Sequence, residues 1–207
     1  MTLANNFICD QRAEQVINMA REVLGENMVL MQVTGIKFSE NFEESSAKLE
    51  AKLVEISETK AKKRIINGEG VGLVDACFDA MLKTYGDRFC SLDAIAIVDF
   101  SVSAHVSSLH ARNSDAKISA RLRVKNSQNY EYAFECTTSS ISHSSVAAVQ
   151  EAMAFFINAE LAYVCLYSAL KDAKERNRQD LVERYQNQMA TLVQATSYEK
   201  LVHRLKA

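Results

Sequence analysis

The sequence predicts an α+β fold: two β-β-β-α units related by a pseudo-twofold axis, plus an N-terminal helix and a long C-terminal helical segment. Two observations predict it. Strand-like stretches come in threes, and each trio precedes an apolar run at helical spacing. The whole order then occurs a second time, so internal duplication is the main architectural signal. With 207 residues, 48% of them hydrophobic, the chain can bury a sizeable core.

The elements follow in order. Asp10 is placed to cap a first helix in which Ala13, Val16, Ile17, Ala20, Val23 and Leu24 share one face, and Gly25 stops it. Residues 1–27 form this leading segment. The first unit, 28–88, opens with the β-prone run MVLMQVTGI (Met28 to Ile36). KLEAKLVEI (Lys48 to Ile56) alternates, with Leu49, Ala51 and Leu53 against Lys48, Glu50 and Lys52. KAKKRIIN (Lys60 to Asn67) is a weaker third strand. A loop holding Gly68, Gly70 and Gly72 leads into a helix marked by Val74, Cys77, Phe78, Met81 and Leu82, which Gly86 ends.

The second unit, 89–165, repeats this. LDAIAIVDFSVSA (Leu92 to Ala104) is a long strand, and KISARLRV (Lys117 to Val124) and NYEYAFEC (Asn129 to Cys136) alternate cleanly. A polar loop, TTSSISHSS, precedes a helix carrying Val146, Val149, Met153, Phe156, Ile157 and Leu161. Short connections favour antiparallel meanders, each with one apolar face for its helix. The C-terminal segment, 166–207, holds a charged stretch from Lys171 to Asp180 and then Leu181, Val182, Tyr185, Met189, Leu192 and Val193 at helical spacing. It is one long helix with a solvated middle, or two helices with a break.

Composition narrows the function. A net charge of −2 with interspersed signs gives no electrostatic reason for a nucleic-acid or membrane partner. The N-terminus lacks a secretory pattern, and Ile157 to Leu170 is too short to cross a bilayer, so a cytoplasmic protein is expected. The five cysteines are widely spaced with no CxxC, and His105, His110, His143 and His203 are scattered. Reduced thiols, no metal and no cofactor are expected. The serines from Ser139 to Ser145 read as helix caps, because no G-x-S-x-G string accompanies them.

The segment GEGVGLVDA (Gly68 to Ala76) raises the question of phosphate binding. A dinucleotide site needs G-x-G-x-x-G in a parallel βαβ unit, and a P-loop needs Gly-Lys-Ser/Thr. The glycines here are spaced G-x-G-x-G after alternating strands, so neither fits. A helix start can equally hold a carboxylate. The equivalent start in the second unit lies near Ser145, and two helix starts with two sheet edges would frame a small pocket. The alternative is a tight strand-to-helix turn with no ligand.

The ordered motifs resemble a known domain. NGEGVGLVDACFDAM is similar to the G-x-G-P-V-D-A segment of the C-terminal regulatory domain of 2-isopropylmalate synthase and citramalate synthase. VLMQVTGIKF resembles that domain's first strand, IVDFSVSA its L-x-D-Y-x-V-x-A strand, and KISARLRV its E-V-T-V-R-V strand. SSVAAVQEAMAFFINA resembles its S-T-D-I-I-E-A-S-A-x-A-Y-L-N-A helix. The likeness runs from Met28 to Ala159 across both units. It implies a duplicated βββα fold that dimerises and binds a feedback inhibitor, leucine or isoleucine. By position, Gly68, Gly70, Asp75 and Ala76 match the glycine motif, Gly72 stands near its proline, and Asp99 and Phe100 match the D-Y pair. With Val74 and Phe78 as pocket walls and Ser145 at the second helix start, these form the expected effector site. The sequence departs from the pattern in four places. No proline follows Gly70, Phe100 replaces tyrosine, Val146 and Ala147 replace the threonine and aspartate of S-T-D, and the loop from Leu109 to Asp115 is longer.

The synthases carry a TIM barrel, which needs about 250 residues, before this domain. The segment before Met28 is far too short, and no H-x-H metal motif occurs. The expectation is therefore a free-standing, non-catalytic, dimeric regulatory protein. It would bind a leucine- or isoleucine-like effector and act in trans on a synthase lacking its own regulatory domain. On that reading Gly70→Asp abolishes ligand binding and spares the fold. The alternative is a ligand-free dimerisation scaffold with the C-terminal helix as partner surface, tested by deleting Lys171 to Ala207.

Overall fold

The computed structural model describes residues 7–57, 60–93, 95–105 and 117–206. The Leu109 to Asp115 loop and His110 lie outside the described residues. Two antiparallel meanders, each followed by a helix, form the body of the molecule. β2 (Leu30–Asn41), β3 (Ser46–Ser57) and β4 (Lys60–Gly70) make a three-stranded sheet in the order β2-β3-β4, and α2 (Leu73–Tyr85) follows. β5 (Ala96–His105), β6 (Lys117–Lys125) and β7 (Glu131–Thr138) make the second meander, followed by α3 (Ile141–Glu175). A short strand ahead of both, β1 (Phe7–Cys9), pairs with β7 and completes a four-stranded sheet in the order β1-β7-β6-β5. Three residues are too few to show a period, so β1 leaves no signal in the sequence.

The two meanders match row by row. In the first, Phe38 faces Leu49 and Leu49 faces Gly68; in the second, Phe100 faces Leu122 and Leu122 faces Phe134. One row further, Glu40–Ala47–Gly70 corresponds to Val102–Ala120–Cys136. The first strand of each meander carries a β-bulge, between Val33 and Gly35 and between Ile97 and Asp99. These rows are the helix-facing sides of the sheets. Leu49, Ala51, Leu53, Leu122, Val124, Tyr132 and Phe134 are all buried there.

α1 (Gln11–Leu24) begins where the sequence places it. Asp10 Oδ1 accepts the Ala13 N–H (2.8 Å), while Oδ2 accepts the Ala133 N–H of β7 (2.7 Å), so one carboxylate caps a helix and fastens it to a sheet. Gly25 ends the helix at φ 56°, a left-handed conformation suited to glycine.

Several boundaries move. β2 extends to Asn41, and β4 runs through Gly68 and Gly70, so these two glycines belong to a strand rather than a loop. β5 begins at Ala96, because Cys90–Leu92 forms a 3-10 turn that buries Leu92. α3 starts at Ile141, with Ser140 as its N-cap, and passes straight through Cys165 into the C-terminal segment. The charged stretch then supplies a break. Asn177 takes a left-handed φ of 55°, and Arg178 makes a two-pronged ion pair with Asp180 in the first turn of α4 (Gln179–Val193). A further helix, α5 (Tyr198–Lys206), follows.

α3 ties the two meanders together. Gln150 Oε1 accepts the Val33 N–H (2.8 Å), and Asn158 exchanges bonds with both the N–H and the carbonyl of Val29 (2.8 and 2.9 Å). These amides satisfy backbone groups at the start of β2, an edge strand, and just before it. The C-terminal helices also fold back. Met189, Leu192, Ala195 and Leu201 are buried, and the Gln194 carbonyl accepts from Asn126 Nδ2 and Tyr132 Oη. Deleting Lys171 to Ala207 would therefore uncover the core, and it is not the clean test of a partner surface that the sequence suggested.

Candidate functional site

The glycine segment is where strand and helix meet most closely. A Cβ at Gly68 would overlap the Ala76 carbonyl oxygen and stand 2.5 Å from the Ala80 nitrogen. A Cβ at Gly70 would stand 2.6 Å from Asp75 Cβ and 2.7 Å from the Ala76 nitrogen. Real Cβ atoms do not approach that closely, so the two glycines form the bed on which α2 lies. Ala76 and Ala80, both fully buried, are its matching small residues. The N–H between the glycines, that of Glu69, donates to Asp79 Oδ2 (2.8 Å), which also pairs with Lys83 Nζ (2.7 Å). That N–H is engaged by the helix and is not free for a ligand. Gly70→Asp would thus collide with α2, which corrects the expectation that it spares the fold.

The other expected residues fall as follows. Gly72 is the N-cap of α2 in extended backbone, and its carbonyl accepts the Ala76 N–H (3.0 Å). Asp75 is exposed in the first turn, where a negative charge suits the helix dipole. Phe78 is part of the buried core, and Val74 is partly buried and packs against it. Asp99 lies on the outer face of β5, 3.7 Å from Arg123 Nη2, while Phe100 faces inward in the row with Leu122. Ser145 is buried, and its hydroxyl donates back to the Ile141 carbonyl (2.8 Å), one turn earlier. The equivalent helix start is therefore Ser140 to Ile141, four residues ahead of the expected place. Gly68 lines a surface cleft of about 400 Å³ with Phe38, Leu49 and Lys83. The structure brings Gly68, Gly70, Asp75 and Ala76 together as a packing contact; Asp99, Phe100 and Ser145 belong to the second meander and its helix.

The serines at the start of α3 are structural. Ser144 Oγ donates to the Ile118 carbonyl (2.8 Å) and accepts the Thr138 N–H (3.0 Å), stitching helix to sheet. Burial pushes the Cys77 and Cys136 thiols up to about 12, so both stay protonated and unreactive at neutral pH.

The molecule is thus a duplicated meander-and-helix fold with a glycine bed under its first helix. A family model, the LeuA allosteric (dimerisation) domain, matches residues 12–157. The chain belongs to that family. No curated protein matches the chain significantly. The LeuA domain is the regulatory and dimerisation part of 2-isopropylmalate synthase rather than its catalytic domain. The match begins in α1 and ends within α3, so α1 is part of the LeuA-type unit, a feature the motif series from Met28 onward did not include.

Sequence reasoning also missed the polar residues on the apolar face of α3. Gln150 and Asn158 are buried and join the two meanders, and Glu160 accepts the Ser91 N–H (2.8 Å) at the 3-10 turn. Their signal was available: polar side chains set in the apolar middle of a helix call for fixed partners.

Proposed function

We propose that this protein is a non-catalytic regulatory domain that forms a homodimer in the cytoplasm and binds a small branched-chain amino acid or related carboxylate. It would act in trans on a synthase without a regulatory domain. The observation that carries this reading is the family match, which spans both meanders, α2 and the first part of α3. Membership of a dimerisation-domain family supports homo-oligomerisation. The first strands offer apolar surface for a second copy at Phe38, Val98 and Val102, each more than one-third exposed. The family resemblance implies an effector near the segment from Gly68 to Gly72 and the strands and helix starts around it, where backbone N–H groups at the helix starts would hold its carboxylate.

A thermal-shift screen against leucine, isoleucine and their 2-oxo acids tests the reading, with sedimentation equilibrium for the dimer. A ligand at one hundred times its Kd adds about 2.7 kcal/mol. A selective rise with leucine or isoleucine supports a sensor. The second reading is a ligand-free scaffold, favoured by the use of Gly68, Gly70 and the Glu69 N–H in packing. A dimer that ignores every compound in the screen would establish it.

A further inference from the structure

α1, β1, the start of β2 and the middle of α3 line a half-open cavity of about 160 Å³ on the seam between the two meanders, with Arg21 exposed. Val16 and Ile17 from α1, Met31 from β2 and Phe155 from α3 give it apolar walls. Two charged side chains also line it, Arg21 of α1 and Glu151 of α3. Among the described residues neither has an ion-pair partner. Arg21 donates to Asn18 Oδ1 (3.0 Å), and Glu151 accepts from Gln150 Nε2 (3.3 Å). Gln150 is itself held by the Val33 N–H, so Glu151 is fastened to the frame that joins the units. Asn158, the remaining polar lining residue, is fully committed to the backbone of Val29 and Ala154.

A mostly buried carboxylate without a cation is unfavourable, and burial raises the Glu151 pKa. An incoming ammonium would remove that penalty. At about 160 Å³ the pocket has room for a four-carbon side chain, since about 150 Å³ is enough for a benzene-sized molecule.

We propose that this cavity binds the ammonium group of a small aliphatic amine, with Glu151 as counter-ion and Arg21 placed to take the carboxylate when the ligand is an α-amino acid. The regulatory reading enters only in the choice of leucine as one probe. A ligand so held would clamp α1 onto the junction of β2 and α3, away from the start of α2.

Titration calorimetry of the full chain with leucine, isopentylamine (leucine without its carboxylate) and isocaproate (leucine without its ammonium) tests this. Glu151→Gln is expected to weaken leucine and isopentylamine by about tenfold, the scale of one charged hydrogen bond, and not to weaken isocaproate, whose own carboxylate Glu151 repels. Arg21→Gln weakens leucine and spares isopentylamine. Leucine bound equally by wild type and Glu151→Gln overturns the cavity and leaves the regulatory reading standing. Isopentylamine bound through Glu151 with no leucine binding keeps the cavity and removes the amino-acid effector. Silence from all three overturns both. Methyl spectra of the wild-type protein guard against a variant that fails to fold: isopentylamine must shift Val16, Ile17 and Met31, and shifts confined to Leu73 and Val74 would overturn the proposal.

Discussion

The two meanders share a plan and differ in how each receives its helix. In the first, the row Phe38–Leu49 ends on Gly68 and the row Glu40–Ala47 ends on Gly70. In the second, the corresponding rows end on Phe134 and Cys136. The glycine bed lets α2 lie against the backbone of β4, with Ala76 and Ala80 in contact. The aromatic bed meets α3 through rings: Phe134 packs with Phe155 at 5.3 Å, and Tyr132 with Phe155 and Phe156 at 4.8 and 5.8 Å. One duplicated topology thus tolerates two kinds of helix-to-sheet contact, provided that residue size on the closing strand and on the helix change together.

That reciprocity can be broken from either side. Phe134→Ala should have the largest effect, about 4 kcal/mol, because it empties a fully buried site ringed by Phe7 and Phe155. Gly68→Ala adds one methyl where there is no room and should cost about 3 kcal/mol. Urea unfolding measures both. If Gly68→Ala loses less than about 1 kcal/mol, α2 can move outward freely and the glycine bed is not a constraint.

The amount legible in the sequence follows the same division. Alternation in Lys48–Ile56 and Lys117–Val124 located β3 and β6, because each sheet has one buried face. The motif order located the family. The glycines were visible but their use was not. G-x-G before a helix looks the same whether the backbone approaches a ligand or a helix, and only the neighbours Ala76 and Ala80 decide. Ser145 was placed as a helix start because the apolar period begins at Val146. The first turn of α3 is polar, so periodicity is silent there, and its true start is set by the Ser140 cap.

Hydroxyl groups sharpen the comparison at smaller energies. Tyr85 at the end of α2 donates to buried Glu55 (2.7 Å), which Arg64 also approaches at 3.3 Å. Tyr132, under α3, donates to the neutral Gln194 carbonyl (2.8 Å). A charged acceptor makes the stronger bond, so Tyr85→Phe should cost about 2 kcal/mol and Tyr132→Phe about 1 kcal/mol in the same unfolding measurement. The reverse order would mean that Arg64 alone satisfies Glu55.

The smallest effect concerns the same position on the two helices. Ten residues beyond the first residue of each stand Lys83 in α2 and Glu151 in α3. Lys83 is exposed and paired with Asp79; Glu151 is mostly enclosed, and burial raises its pKa. A raised carboxyl means that the folded chain keeps its proton at a pH where the unfolded chain has lost it. Glu151 therefore weakens the fold as pH climbs from the ordinary glutamate range through the raised value, and has no such effect below that range. Glu151→Gln should raise the melting temperature at neutral pH and leave it unchanged near pH 4, about where an unfolded glutamate titrates. Lys83→Gln should raise it at neither pH, because Lys83 is already paired with Asp79. A gain at neutral pH means that the chain keeps an acid where an amide would be more stable, as a counter-charge for a ligand requires. Equal melting at both pH values means that the surroundings already compensate Glu151, and the cavity then has no unpaired charge to offer an ammonium.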